Sequence, residues 1–188
     1  MKNRLATALM KNANPVSRYG GKVALVVGCL FLVACGRPET DTTAEPKTVH
    51  HWFSIKVGDQ PVEMQLALRR AEMEKGLMGR RDLKPGQGMF FAYRDPQVLS
   101  FWMRNTPTAL DIGYFSGDGV LREIYPLHPF DERAVSSRRE DLQYALEVPQ
   151  GWLASAGITI GDRIDLEALK AAMRERGFDY RRYQGMEE

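Results

Sequence analysis

The sequence predicts a β-rich α+β domain, with a single antiparallel or mixed, barrel-like sheet, a few short helices and a C-terminal helix. Three observations predict it. Short apolar runs with period-two alternation recur between residues 50 and 166. Gly, Asp and Pro signals separate these runs. Helical spacing is confined to a few short stretches, the longest near the C-terminus.

Taken in order, residues 1–34 predict a leader. Lys2, Arg4, Lys11, Arg18 and Lys22 precede the apolar run "VALVVGCLFLVA", too short to span a bilayer comfortably. The run ends in Leu32-Val33-Ala34-Cys35, which resembles the bacterial lipobox and makes Cys35 the expected acylation site and new N-terminus. The competing reading is an uncleaved N-terminal anchor. Gly36, rather than Asp, follows the cysteine, so the expected address is the outer membrane, facing the periplasm. Residues 35–49, including "GRPETDTTAEPKT", have the polar, Pro-containing composition of a tether.

The domain is expected over residues 50–166. "WFSIKV" and "VEMQLAL" alternate across Gly58-Asp59 as a hairpin, and "RRAEMEKGLM" reads as a short helix broken by Gly76 and Gly79. "GMFFAY", "VLSFWM", "ALDIGYF" and "VLREIYPL" are strand candidates, the last two joined by Gly117-Asp118-Gly119. The polar loop "HPFDERAVSSRRE" separates them from the strand "LQYALEV". A turn or helix at "PQGWLASAG" and a last strand at "DRIDL" complete the domain. Residues 167–188 hold a C-terminal helix and tail. Asp165 is the expected N-cap, Leu166, Leu169 and Met173 form one side, and Gly177 stands at the end.

Composition excludes several classes. Cys29 leaves with the leader, so no disulfide framework or CxxC metal site is available. Five of the 26 basic residues and none of the 24 acidic ones lie in residues 1–34, so the remainder carries 21 basic and 24 acidic residues, a formal charge of −3. A nucleic-acid partner has no electrostatic support. There is no GxSxG, no Gly-rich phosphate loop and no Cys-His pair, and no cofactor is expected.

Together, "EKGLMGRRDLKPGQGMFFAY", "FWMRNTPTALDIGYF", "LQYALEVPQGW" and "GITIGD" resemble the domain of unknown function 192 family, the uncharacterised protein family 0127. The resemblance covers residues 50–166. Matching positions are Gly76, Leu77, Met78, Arg80, Gly88, Met89, Phe101, Trp102, Met103, Asn105, Thr106, Asp111, Glu147, Gly151, Gly161 and Asp162. Thr108-Ala109 departs from the family pattern before the Leu-Asp pair, and the loop after Leu127 lacks the cysteine of many members, against thiol chemistry there. The resemblance implies a small β-rich α+β domain, often exported, and carries no biochemical activity with it.

The chemistry-bearing residues each have two readings. In an extended strand Asp111 shares its face with Ala109 and Gly113, which leaves room for a ligand at its carboxylate. The structural alternative has Asp111 accepting backbone N–H bonds that pin the Asn105-Thr106 turn. Glu147 shares a polar face with Gln143 and Ala145. If its strand neighboured that of Asp111, the two carboxylates would split acid and base roles on a glycan; otherwise Glu147 is a solvated or Arg-paired acid. Arg80 either neutralises Asp111 or holds an anion.

Met64, Met73, Met78, Met89 and Met103 with three histidines raise a Cu(I) site, but their apolar context and the lack of paired histidine spacing favour core packing and no metal. Trp102, Asn105 and Asp111 have the mixture that stacks and hydrogen-bonds sugars. The expectation is a lipid-anchored envelope protein that binds a small polar ligand, such as a glycan, or a partner at Arg80, Trp102, Asn105, Thr106 and Asp111 without turnover. A glycan hydrolase using Asp111 and Glu147, or a scaffold with no site, is the alternative.

Overall fold

The computed structural model describes residues 45–186. The readings on residues 1–44, the leader and the acylation of Cys35 included, lie outside the described residues. Among those described, no helix is long and apolar enough to cross a membrane.

Six strands form one mixed sheet: β1 (Phe53–Val57), β2 (Gln60–Ala67), β3 (Gln87–Gln97), β5 (Leu110–Ser116), β6 (Leu121–Leu127) and β8 (Leu142–Pro149). The order is β1-β2-β3-β8-β5-β6, antiparallel throughout except for the parallel pair β2 and β3. The short helix α1 (Arg70–Lys75) and the turns after it supply the crossover that a parallel pair requires. The sheet is not closed into the expected barrel. Its edges are β1 and β6, joined at one end by residues 161–165, where Asp165 donates to the Lys56 carbonyl and Ile164 to the Gly119 carbonyl. The strand expected at "DRIDL" is reduced to bridges from Arg163 to Val120 and from Ile164 to Val57.

The central strand β8 is buried along nearly its whole length, because both faces of the sheet are covered. One face packs Phe53, Leu66, Phe90, Tyr144, Leu146 and Val148 against α2 (Trp152–Ser155), α3 (Leu166–Glu175) and the C-terminal segment, through Leu153, Leu169, Met173, Tyr180, Tyr183 and Met186. The other packs Met89, Phe91, Leu110, Ile112, Tyr114 and Ala145 under α1 and a two-stranded ribbon, β4 (Ser100–Phe101) with β7 (Val135–Ser136). "VLSFWM" therefore yields only two strand residues, and the polar loop supplies their partner.

α3 starts as its sequence predicts, with the Asp165 carboxylate accepting from the Ala168 N–H. Arg176 at its end is 0 % exposed. Its guanidinium donates to both Glu72 carboxylate oxygens of α1, at 2.6 and 2.7 Å, and to the Lys47 carbonyl at 2.8 Å. The Lys47 N–H donates to the Glu175 carbonyl, so the chain is held against α3 before the predicted end of the tether at residue 49.

Candidate functional site

Along β8, Tyr144, Leu146 and Val148 face the α3 side, and the alternate positions Ala145 and Glu147 face the α1 side. Glu147 stands between Met89 of β3 and Ile112 of β5 and is 4 % exposed. Gly88 makes this approach possible, since a Cβ there would overlap the Glu147 carbonyl oxygen and Val148 Cγ1. The sequence reading of Glu147 as a solvated or Arg-paired acid is corrected: its face of the strand has a second layer over it.

That layer is stitched together by backbone bonds. Gly76, at φ +45°, ends α1, and its N–H donates to the Glu72 carbonyl. The Gly79 N–H donates to the Asn105 carbonyl, and Thr108 Oγ1 donates to the Arg80 carbonyl at 2.7 Å, joining the turn after α1 to the 102–109 loop. This loop is joined in turn to the 128–133 loop, where Met103 N–H donates to the Asp131 carbonyl and Phe130 N–H to the Thr106 carbonyl. Asn105 and Phe130 both adopt left-handed φ, 56° and 60°. That conformation suits an asparagine and strains a phenylalanine. Trp102 and Phe130 stand 47 % and 59 % exposed on these linked loops.

Between α1 and the 102–109 loop lies a narrow cavity of about 30 Å³, with Met73, Leu77, Phe91, Phe101, Trp102 and Thr106 on its walls and Glu74, Lys75 and Glu147 also lining it. Two larger hollows share walls with it. One, of about 290 Å³, is lined by Arg70, Met73, Tyr93, Ser100, Phe101 and Trp102. The other, of about 310 Å³, runs past Gly76 and Met78 to His50, Gln65 and Arg80.

Among the described residues, no hydrogen-bond donor or cation reaches the Glu147 carboxyl. Burial alone pushes it up to about 8, so it is mainly protonated at neutral pH. Near it, burial and then the Glu147 charge raise Tyr93 and Tyr114 above the ordinary phenol range. An acid so displaced in a cleft is the kind of group that candidate functional sites hold. It can donate one proton in a hydrogen bond or, given a counter-charge, become a carboxylate. The lining offers no activated nucleophile: Thr106 Oγ1 donates to the Arg104 carbonyl.

The structure brings Trp102 and Thr106 to Glu147. Arg80 lies in the adjoining hollow, where its guanidinium is taken by Asp82 and the Gln65 side-chain oxygen and stacks over Trp52. Asn105 contributes its carbonyl while its side chain is exposed. Asp111 lies elsewhere. It pairs in register with Val148, so it and Glu147 occupy adjacent strands but opposite faces, which corrects the catalytic pair. Nor does Asp111 pin the Asn105-Thr106 turn; it accepts from the Gly151 N–H at 2.7 Å, fixing the left-handed turn that starts α2. Among the described residues no group of three or more His, Cys, Asp or Glu could hold a metal. Met73, Leu77, Phe91 and Phe101 are site residues that the sequence reading does not assign.

A sequence model of the domain of unknown function 192 family, described as "Uncharacterized ACR", matches residues 53–166. Among solved structures, a proposed transcription regulator from Sinorhizobium meliloti 1021 is 28 % identical with a TM-score of 0.59, over 63 % of this chain and 96 % of that one. A protein of unknown function from Novosphingobium aromaticivorans DSM 12444 is 32 % identical with a TM-score of 0.57, over 61 % of this chain and 84 % of that one. No curated protein matches.

Proposed function

Since the chain belongs to the domain of unknown function 192 family over β1 to the start of α3, we propose that this domain is a ligand-binding module of the cell envelope. It is exported, anchored through Cys35, and captures a small molecule over Glu147 without turning it over. The observation that carries the reading is a buried acid with no partner lining a cavity beneath an exposed tryptophan. Of the polar groups lining the same cavity, Glu74 is held by Arg70 and Thr106 Oγ1 by the Arg104 carbonyl, so neither is poised as base or nucleophile, which favours binding over catalysis. Leu32-Val33-Ala34-Cys35 supports the anchor. The regulator role in the name of the S. meliloti neighbour finds no support in a formal charge of −3 past the leader.

A thermal-shift screen of small polar and amphipathic molecules against the full-length protein tests the binding reading. Hits whose stabilisation disappears in Glu147→Gln support it; a screen with none, together with bare masses in native mass spectrometry, refutes it. Metabolic labelling with a radioactive fatty acid tests the anchor separately, with label expected on the protein and lost in Cys35→Ser.

A further inference from the structure

Resting on the ligand-binding reading above, we infer that the Glu147 cavity receives the ammonium tip of a small organic cation carried on an apolar stem, such as a primary alkylamine or a molecule ending in one. Four observations converge on this class. The Glu147 carboxyl is more than nine-tenths buried with no donor or cation in reach, and a buried carboxylate requires a counter-charge. The cavity is narrow, about 30 Å³, and has room for a small polar head group such as an ammonium. Its walls include the aromatic side chains of Phe91, Phe101 and Trp102, and the Trp102 ring already carries one cation, the Arg104 guanidinium at 5.6 Å. The adjoining hollow of about 290 Å³, walled by Met73, Tyr93, Phe101 and Trp102, has the room and the apolar surface for a stem.

Two charged side chains of α1, Glu74 and Lys75, also line the cavity. From α1, Glu74 is held by Arg70 at 2.7 Å, and Lys75 is exposed and makes no ion pair among the described residues. The other titratable neighbours are the neutral phenols of Tyr93 on β3 and Tyr114 on β5. A neutral alcohol would hydrogen-bond the acid but supply no charge. When an alkylammonium enters, the Glu147 carboxylic acid releases its proton to solvent and remains as the carboxylate paired with the ammonium. Binding therefore liberates a proton and strengthens as pH rises through neutrality.

Calorimetric titration of the full-length protein with n-butylammonium and, in parallel, 1-butanol tests the assignment. The amine is expected to bind at least about tenfold more tightly than the alcohol and more tightly at about pH 9 than at about pH 6, with release of about one proton at the lower pH, read from the buffer dependence of the heat. Glu147→Gln should lose at least about tenfold in amine affinity. Trp102→Ala, at a half-exposed position, should weaken the amine several-fold more than the alcohol. Equal binding of amine and alcohol, or amine binding unchanged in Glu147→Gln, overturns the ammonium assignment and leaves the ligand-binding reading intact. Failure of the amine alongside Glu147-dependent hits of another class does the same. Failure of every ligand class overturns both.

Discussion

Glu147 makes a claim on stability that runs opposite to most carboxylates. Burial raises it from its ordinary 4.5 to about 8, so between those values the folded protein holds a proton that the unfolded chain has released. Stability therefore falls as pH rises through that window, by at most about 1.4 kcal/mol per pH unit, and levels off above it. Urea midpoints from acid to alkaline pH should show this decline, and Glu147→Gln should remove it and leave the variant the more stable at high pH; parallel curves would contradict it. Gly88→Ala should cost about 1–3 kcal/mol, because the added methyl drives β3 from the Glu147 carbonyl. Asp111→Ala should cost only about 1 kcal/mol, through the lost Gly151 N–H bond, and leave ligand binding unchanged. An Asp111 variant that abolished binding would return the site to the opposite face.

At the scale of elements, the ion pair between Arg176 and Glu72 fastens α3 to α1. Burial by itself would raise Glu72, but the Arg176 guanidinium and the N–H groups of Leu68 and Arg69 outweigh it and hold the carboxyl below its ordinary range. The stability this adds is complete above the unfolded value of 4.5 and is lost as pH falls through the lower folded one. Arg176→Ala should cost about 1.5–3 kcal/mol, since Glu72 loses its buried cation and keeps only the exposed Arg69 and two backbone N–H groups, and should shallow the acid side of the stability curve. Circular dichroism during acid titration checks both. Strand identities are legible in the sequence because alternation and turn residues are local properties. The parallel pairing of β2 with β3 is not, since pairing partners across a crossover leave no local mark. The burial of Glu147 is hidden for the same reason: period two groups it with Gln143 and Ala145 but is silent on what covers that face. Arg176 draws no notice in the sequence because residues 167–188 read as an appendage, although Tyr180, Tyr183 and Met186 are the apolar side chains such a segment needs to dock.

For the whole molecule, the family match ends at residue 166, yet α3 and the C-terminal segment beyond it close one entire face of the sheet. Leu169, Met173, Tyr180, Tyr183 and Met186 each contribute about 1.5–3 kcal/mol of burial, together comparable with the roughly 5–15 kcal/mol total of an ordinary domain. A chain ending at residue 166 should bind a hydrophobic dye and melt without a cooperative transition, whereas the full chain melts sharply; equal cooperativity would show that α3 is dispensable. The bond from Lys47 to the last turn of α3 also has a mechanical meaning. Under the anchoring proposed above, a pull transmitted through residue 45 meets the Lys47 contacts to Glu175 and Arg176 before it reaches β1 at Phe53. Such a load is shared with α3 and, through Glu72, with the helix that roofs the cavity, so it bears on the cavity before it bears on the sheet.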